Sequence, residues 1–142
     1  MDCVDCHNSN EAASGGANGP HGSSFEPILA MNYVTTDNTP ESPSAYALCY
    51  NCHSRDSILN DESFTEHDKH IRDEDTPCSV CHDAHGVSAV QGNPRNNTHL
   101  INFDATIVQP NSQGILSFDD QGRYRGSCDL LCHGKDHQSE AY

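Results

Sequence analysis

Residues 78–82 read Cys-Ser-Val-Cys-His, and the pattern recurs along the chain. Cys3–His7 is CVDCH, Cys49–His53 is CYNCH, and Cys128–His133 is the longer CDLLCH. All eight cysteines fall into these four pairs: Cys3/Cys6, Cys49/Cys52, Cys78/Cys81 and Cys128/Cys132. A histidine follows the second cysteine every time: His7, His53, His82 and His133. Histidine is 10 of 142 residues, so four chance hits in four have a probability on the order of 10⁻⁵.

Three chemistries compete for such pairs. Zinc takes four ligands per ion, so two pairs would have to join, and histidine after each pair has no role. A disulfide framework makes no use of the histidines either. Covalent haem uses all three residues. Two thiols add to the two vinyl groups, and the next imidazole reaches the iron from the same side. The expected cofactors are therefore four covalently bound haem c groups. The fourth motif asks more of the chain, because Leu130 or Leu131 has to bulge out for both sulfurs to reach one porphyrin. Its bland alternative is a Cys128–Cys132 disulfide with His133 on the surface.

Composition agrees with a chain that borrows its interior. Hydrophobic residues are 34%, there is no tryptophan, and mean hydropathy is -0.72. Globular domains usually hold ~45–50% apolar residues, counting Gly. Four haems in 142 residues is about one per 35, enough to replace a side-chain core with stacked porphyrins. The expected fold is a mostly irregular, haem-packed multihaem cytochrome c fold, with a few short helices and a small β-hairpin, as a single tetrahaem domain over 1–142.

Charge excludes other classes. Seven basic residues against 21 acidic ones give a net charge of -14, so no basic face for nucleic acid can be assembled. Anionic lipid is disfavoured for the same reason. No run approaches the ~18–20 apolar residues of a membrane span. Met1 stands two residues before Cys3, which points to a removed export signal or a truncated chain. The cysteine density argues for export.

Six histidines remain: His21, His67, His70, His85, His99 and His137. Four irons need sixth ligands, and methionine is the other common choice. Only Met1 and Met31 exist, so bis-histidine ligation is the economical arrangement, with two histidines to spare. His85, three residues past His82, suits a neighbouring iron rather than its own. His67 and His70 form H-x-x-H just before the third motif. His21 lies between glycine-flanked turns in GPHGS, where backbone can approach a flat ring. His99 and His137 are equally open to a surface role or a propionate contact.

Regular structure is expected to be sparse. Asn8–Ser24 reads as loop. Short helices are expected over Ala45–His53, Asp61–Ile71, Pro77–Asp83 and Ser127–His133. His99–Val108 has β character, and Ile115–Phe118 with Arg123–Arg125 resembles a hairpin bridged by Asp119–Gly122. Asn96-Asn97-Thr98 fits a glycosylation acceptor.

The segments CVDCHNSN, GPHGS, YALCYNCHSRDSIL, SFTEHDKHI, PCSVCHDAHG, THLINFDATIV and GSCDLLCHGKDH resemble extracellular multihaem c-type cytochromes of metal-reducing bacteria, in particular the tetrahaem nanowire family of the outer-membrane cytochrome E type. The likeness spans nearly the whole chain in matching order. It implies bis-His haems in alternating parallel and T-shaped pairs, a haem chain continued between subunits, and a histidine lent to a neighbour's haem. The partners so implied are further copies of this chain, redox partners and extracellular metal acceptors.

Closing both axial positions favours a non-enzymatic electron conduit. The alternative is a multihaem reductase with one open iron. A storage or structural haem protein is a third possibility.

Overall fold

The computed structural model describes residues 2–87 and 98–142; Asn96 and Asn97 of the acceptor triplet lie outside them. Contacts divide the chain into two compact units, Met1–Val34 with Glu41–Arg55, and Thr35–Pro40 with Asp56–Tyr142. The first two cysteine motifs belong to the first unit and the last two to the second. The helices are one turn or little more: α1 Cys3–Cys6, α2 Ala47–Tyr50, α3 Arg55–Leu59 and α4 Cys78–Cys81. Such lengths cannot hold themselves in water, so each depends on what packs around it.

In the first unit, α1 opens with the Asp2 N–H donating to the Asp5 carboxylate at 2.6 Å. Loop 8–30 folds back, and the Ala30 N–H donates to the Cys6 carbonyl at 2.9 Å. Tyr46, fully buried, sits beside buried Ala45 at the start of α2. Glu41 accepts from the Tyr50 hydroxyl and pairs with Arg55, fixing the flank of the second motif.

The second unit holds one three-stranded antiparallel sheet in the order β1 (Ser117–Gly122), β2 (Arg125–Cys132), β3 (Lys135–Ala141). The expected hairpin is present, but its turn is Arg123-Tyr124, and Asp119–Gly122 lies within β1. The expected helix over Ser127–His133 is instead strand β2. Cysteines four apart share a face in a helix, but also in a strand, where alternate residues share a face. Neighbours on both edges decide for the strand. The extra residue of the fourth motif does not bulge out: β2 pairs in step with β1 from Gly126 to Asp129 and with β3 from Leu130 to Cys132. The irregularity falls on β3, between Glu140 and His137, where Ser139 takes a positive φ of 52°.

Two further expectations are met only in outline. Asp61–Ile71 is mostly turn and runs into a π-helical turn at Lys69–Asp73. His99–Val108 forms no strand; its one bridge joins Ile101 to His82. It lies along α4 instead, with Asn102 N–H to the Cys81 carbonyl and Asp104 N–H to the Val80 carbonyl. Val80, Phe103, Val108 and Leu130 form a buried cluster, and Cys81, Cys128 and Cys132 pack against it. Cys81 of the third motif and both cysteines of the fourth thus line one small apolar core. No helix of the described residues is long and apolar enough to cross a membrane.

Candidate haem-attachment site

The three regular motifs share one local shape. In each, the histidine N–H closes a helical turn on the carbonyl of the first cysteine: His7 to Cys3 at 2.7 Å, His53 to Cys49 at 3.0 Å, His82 to Cys78 at 2.8 Å. Residues i and i+3 of such a turn lie on one face, ~5–6 Å apart at Cβ. Both thiols therefore present to one side, as attachment to a single porphyrin requires. Two of the three imidazoles are also held through Nδ1 by a backbone carbonyl: His7 by Pro27 at 3.1 Å and His82 by His99 at 2.7 Å. Nδ1 anchoring fixes the tautomer and aims Nε2, which is the usual support of a metal-binding histidine. These residues fit covalent haem.

Cys128-x-x-x-Cys132-His133 is built differently. Cys128, Leu130 and Cys132 project from one face of β2, with Leu130 buried in the core. Four strand steps separate the two cysteine Cα atoms by about 13 Å. A disulfide needs Cα atoms within ~7 Å, so this strand excludes the Cys128–Cys132 bridge; no cysteine of the chain forms one. The same separation is wider than the ~5–6 Å of the helical turns and too wide for both sulfurs to reach the vinyl groups of one porphyrin, so β2 in this conformation does not fit covalent haem. His133 sits in the two-residue β2–β3 turn with φ 46°, followed by Gly134 at φ 79°. Two positive φ values suit the tight turn of a twisted hairpin. His133 Nε2 meets the Asp37 carboxylate at 3.0 Å, and its Nδ1 faces Thr76 Oγ1 at 3.5 Å.

Burial raises the thiols of the second unit. Cys81 is pushed up to about 12, first by desolvation and then by Cys128 and Cys132. Cys128 rises to about 11, mainly by desolvation, against a hydrogen bond from Tyr142. In the first unit, Cys6 rises by burial and by the nearby charges of Asp5, Cys52 and Cys49. These thiols are protonated and unreactive at neutral pH without a partner. In each unit a cysteine of one motif feels both cysteines of the other.

The spare histidines separate into two groups. His67 lies 6.4 Å, ring centre to ring centre, from His82. His70 lies 6.4 Å from His137 and is anchored through Nδ1 to the Glu66 carbonyl at 2.7 Å. His137 is buried and meets Glu140 through Nδ1 at 3.1 Å. His85 and His99 are exposed, near Asp83 and Asp120 respectively. His21 is exposed at a shallow polar cleft with Ser9, Asn10 and Glu11. Sequence reasoning missed Asp37, whose acidic side chain among threonines and asparagines carries no pattern.

No protein-family model, curated protein or solved structure matches the chain.

Proposed function

We propose that the chain is an extracellular electron-transfer cytochrome carrying four covalent haems, one at each cysteine pair, the fourth with a change of backbone at β2 that brings its two thiols together, and that it works as a subunit of a cytochrome filament. The observation that carries this is the repeated helical turn, in which two thiols on one face are followed by an imidazole, and in two cases Nδ1 is held by a backbone carbonyl.

The haems, when bound, supply iron that cycles between two oxidation states. The chain's own residues bind and orient them. Cysteines fix each ring at two points. Histidines close the iron and leave no position for substrate, which is why a conduit is favoured over a reductase. Paired motifs within each unit hold neighbouring rings close. The acidic surface keeps the assembly soluble and suits cationic or metallic acceptors. At the subunit boundary, His21 is the proposed donor to a neighbour's iron, because it stands exposed just past the Gly- and Ser-rich Ser14–Gly19 stretch.

Intact mass after denaturation is expected to show four haem additions per chain. The reduced protein is expected not to bind carbon monoxide. A chain without covalent haem would overturn the cytochrome assignment, and a CO-binding iron in the native filament would favour the reductase. His21→Ala is expected to give a haem-loaded protomer that forms no filaments; filaments of normal length would rule His21 out as donor.

A further inference from the structure

The third motif is a helical turn that presents both thiols to one side, with His82 directly after them. Closing its iron takes a second imidazole on the opposite side. An imidazole nitrogen sits about 2 Å from a metal it ligates and about 1 Å from its own ring centre, so two rings on opposite sides of one metal have centres about 6 Å apart. His67 stands at that separation from His82: the ring centres are 6.4 Å apart, with 47° between the ring planes.

Each ring is oriented by its surroundings. His82 Nδ1 meets the His99 carbonyl at 2.7 Å, and the His82 N–H closes the turn on the Cys78 carbonyl. His67 Nδ1 faces Ser63 Oγ at 3.5 Å, and the Phe64 ring packs edge-on against the imidazole at 5.1 Å and 74°. Engagement of Nδ1 selects Nε2 as the ligating nitrogen of both rings. The backbone that carries His67 is fixed too. Its own N–H reaches the Phe64 carbonyl, and the next N–H, that of Asp68, reaches the Asp61 carboxylate at 2.8 Å. Both rings are half-buried.

The other spare histidines of the second unit are placed differently. His99 supports His82 from the Nδ1 side through its carbonyl, and its own imidazole is exposed, with Nε2 toward Asp120. His85 is exposed beside Asp83. His70 has its ring 6.4 Å from that of His137.

We propose that His67 is the sixth ligand of the third haem, opposite His82, so that this iron is closed on both sides by residues of one chain. The third haem is then a carrier internal to the subunit, and an iron completed by a neighbouring subunit belongs to another motif.

The proposal rests on the cytochrome assignment, and its test keeps the two apart. Haem per chain is read by intact mass, and open iron by CO binding to the reduced holoprotein. His67→Ala is expected to open one haem equivalent per chain beyond the parent in the same state of assembly. A second background identifies which iron that is. Cys78→Ser, Cys81→Ser and His82→Ala together remove the third haem, and this chain is expected to carry one covalent haem fewer than the parent. Adding His67→Ala there is expected to open no further iron. A haem-loaded His67→Ala that stays as closed to CO as the parent would overturn the assignment, and so would an iron opened by His67→Ala in the chain that lacks the third haem. His67→Met keeps a ligand in place should the alanine variant load poorly. It is expected to gain the near-infrared sulfur–iron band of one ferric haem in the otherwise unaltered chain and no band where the third haem is missing. A band in both, or in neither, would overturn the assignment as well. A parent chain without covalent haem would defeat the cytochrome assignment itself, whereas a haem-loaded parent with the wrong response to these variants would defeat only the role of His67.

Discussion

The third and fourth cysteine motifs differ by one residue and fold in opposite ways. Cys78–Cys81 closes a helical turn, with Val80 buried beneath it. Cys128–Cys132 runs extended between two neighbours, with Leu130 buried between its thiols. In the helix the side chain beneath the thiols is the third residue of the motif, and the imidazole is next in sequence. In the strand the core residue lies midway between the thiols, and the nearest imidazole on that face comes from the partner strand. A spacing of three is compatible with a helix face and incompatible with a strand face. A spacing of four is compatible with both, so hydrogen-bonding neighbours settle it. The motif therefore fixes how many positions separate the thiols, and the backbone decides how far apart they stand.

The comparison breaks most completely if the thiols of every motif are removed. The side chains bury little, and chain entropy costs ~1–2 kcal/mol per residue. Replacing all eight cysteines by serine is expected to abolish a cooperative thermal transition; a sharp transition in that variant would show that the small thiol-lined core suffices alone.

Deleting Leu131 converts the fourth motif to CDLCH, the spacing of the third. The shortened motif is expected to form a helical turn with both thiols on one side, at the cost of the pairing of β2 with its neighbours. Amide hydrogen exchange is then expected to rise at the residues of β1 and β3 that pair with it; unchanged protection would show that the sheet, and not the spacing, sets the backbone of this motif.

Smaller effects test the two cores. Val80→Ala empties a fully buried site under the helical motif and is expected to cost about 2–3 kcal/mol in thermal or denaturant unfolding. Gly126→Ala tests the strand motif, since a Cβ there would stand 2.6 Å from the Phe118 ring and 3.1 Å from the Asp119 carbonyl. A cost of about 1–2 kcal/mol is expected. A Gly126→Ala loss well above that of Val80→Ala would place more of the unit's stability in the sheet than in the cluster.

The smallest expected change concerns the edge of β3. The Ser112 hydroxyl and N–H donate to Asp136 and, with Gln138, hold its carboxyl below the ordinary value. A depressed carboxyl stabilises the fold above its unfolded pKa and loses that contribution as pH falls through the folded one. Ser112→Ala should therefore lower the melting temperature slightly at pH 6, and the difference should shrink as pH falls through the lowered folded-state pKa of Asp136. A difference that persists in acid would assign the effect to packing.

Much of this was legible in the residues. The loop over Asn8–Ser24, the short helices near the second and third motifs, the hairpin and the sparse regular structure follow from spacing and composition, whereas the helix at Arg55–Leu59 does not. The strand at Ser127–Cys132 was not legible, because a C-x-x-x-C-H string carries no information about what lies beside it. Nor were the carbonyls of Pro27, His99 and Glu66 that brace imidazoles, since any residue supplies a carbonyl and only the fold brings it near. The pairing of Asp37 with His133 spans 96 positions and leaves no local signature.

His67 and His70 stand three residues apart on a segment tied at several points. The His70 N–H reaches the Glu66 carbonyl, Thr76 N–H returns to the His70 carbonyl, and Arg72 pairs with Asp68. If the two rings serve two different irons, both metals hang from a single mount. A tilt of that mount would displace the two together, so their separation, on which hopping depends steeply, would survive thermal motion better than either position alone. Spectroelectrochemistry would see this as two midpoint potentials that drift in the same direction when Arg72 or Asp68 is changed.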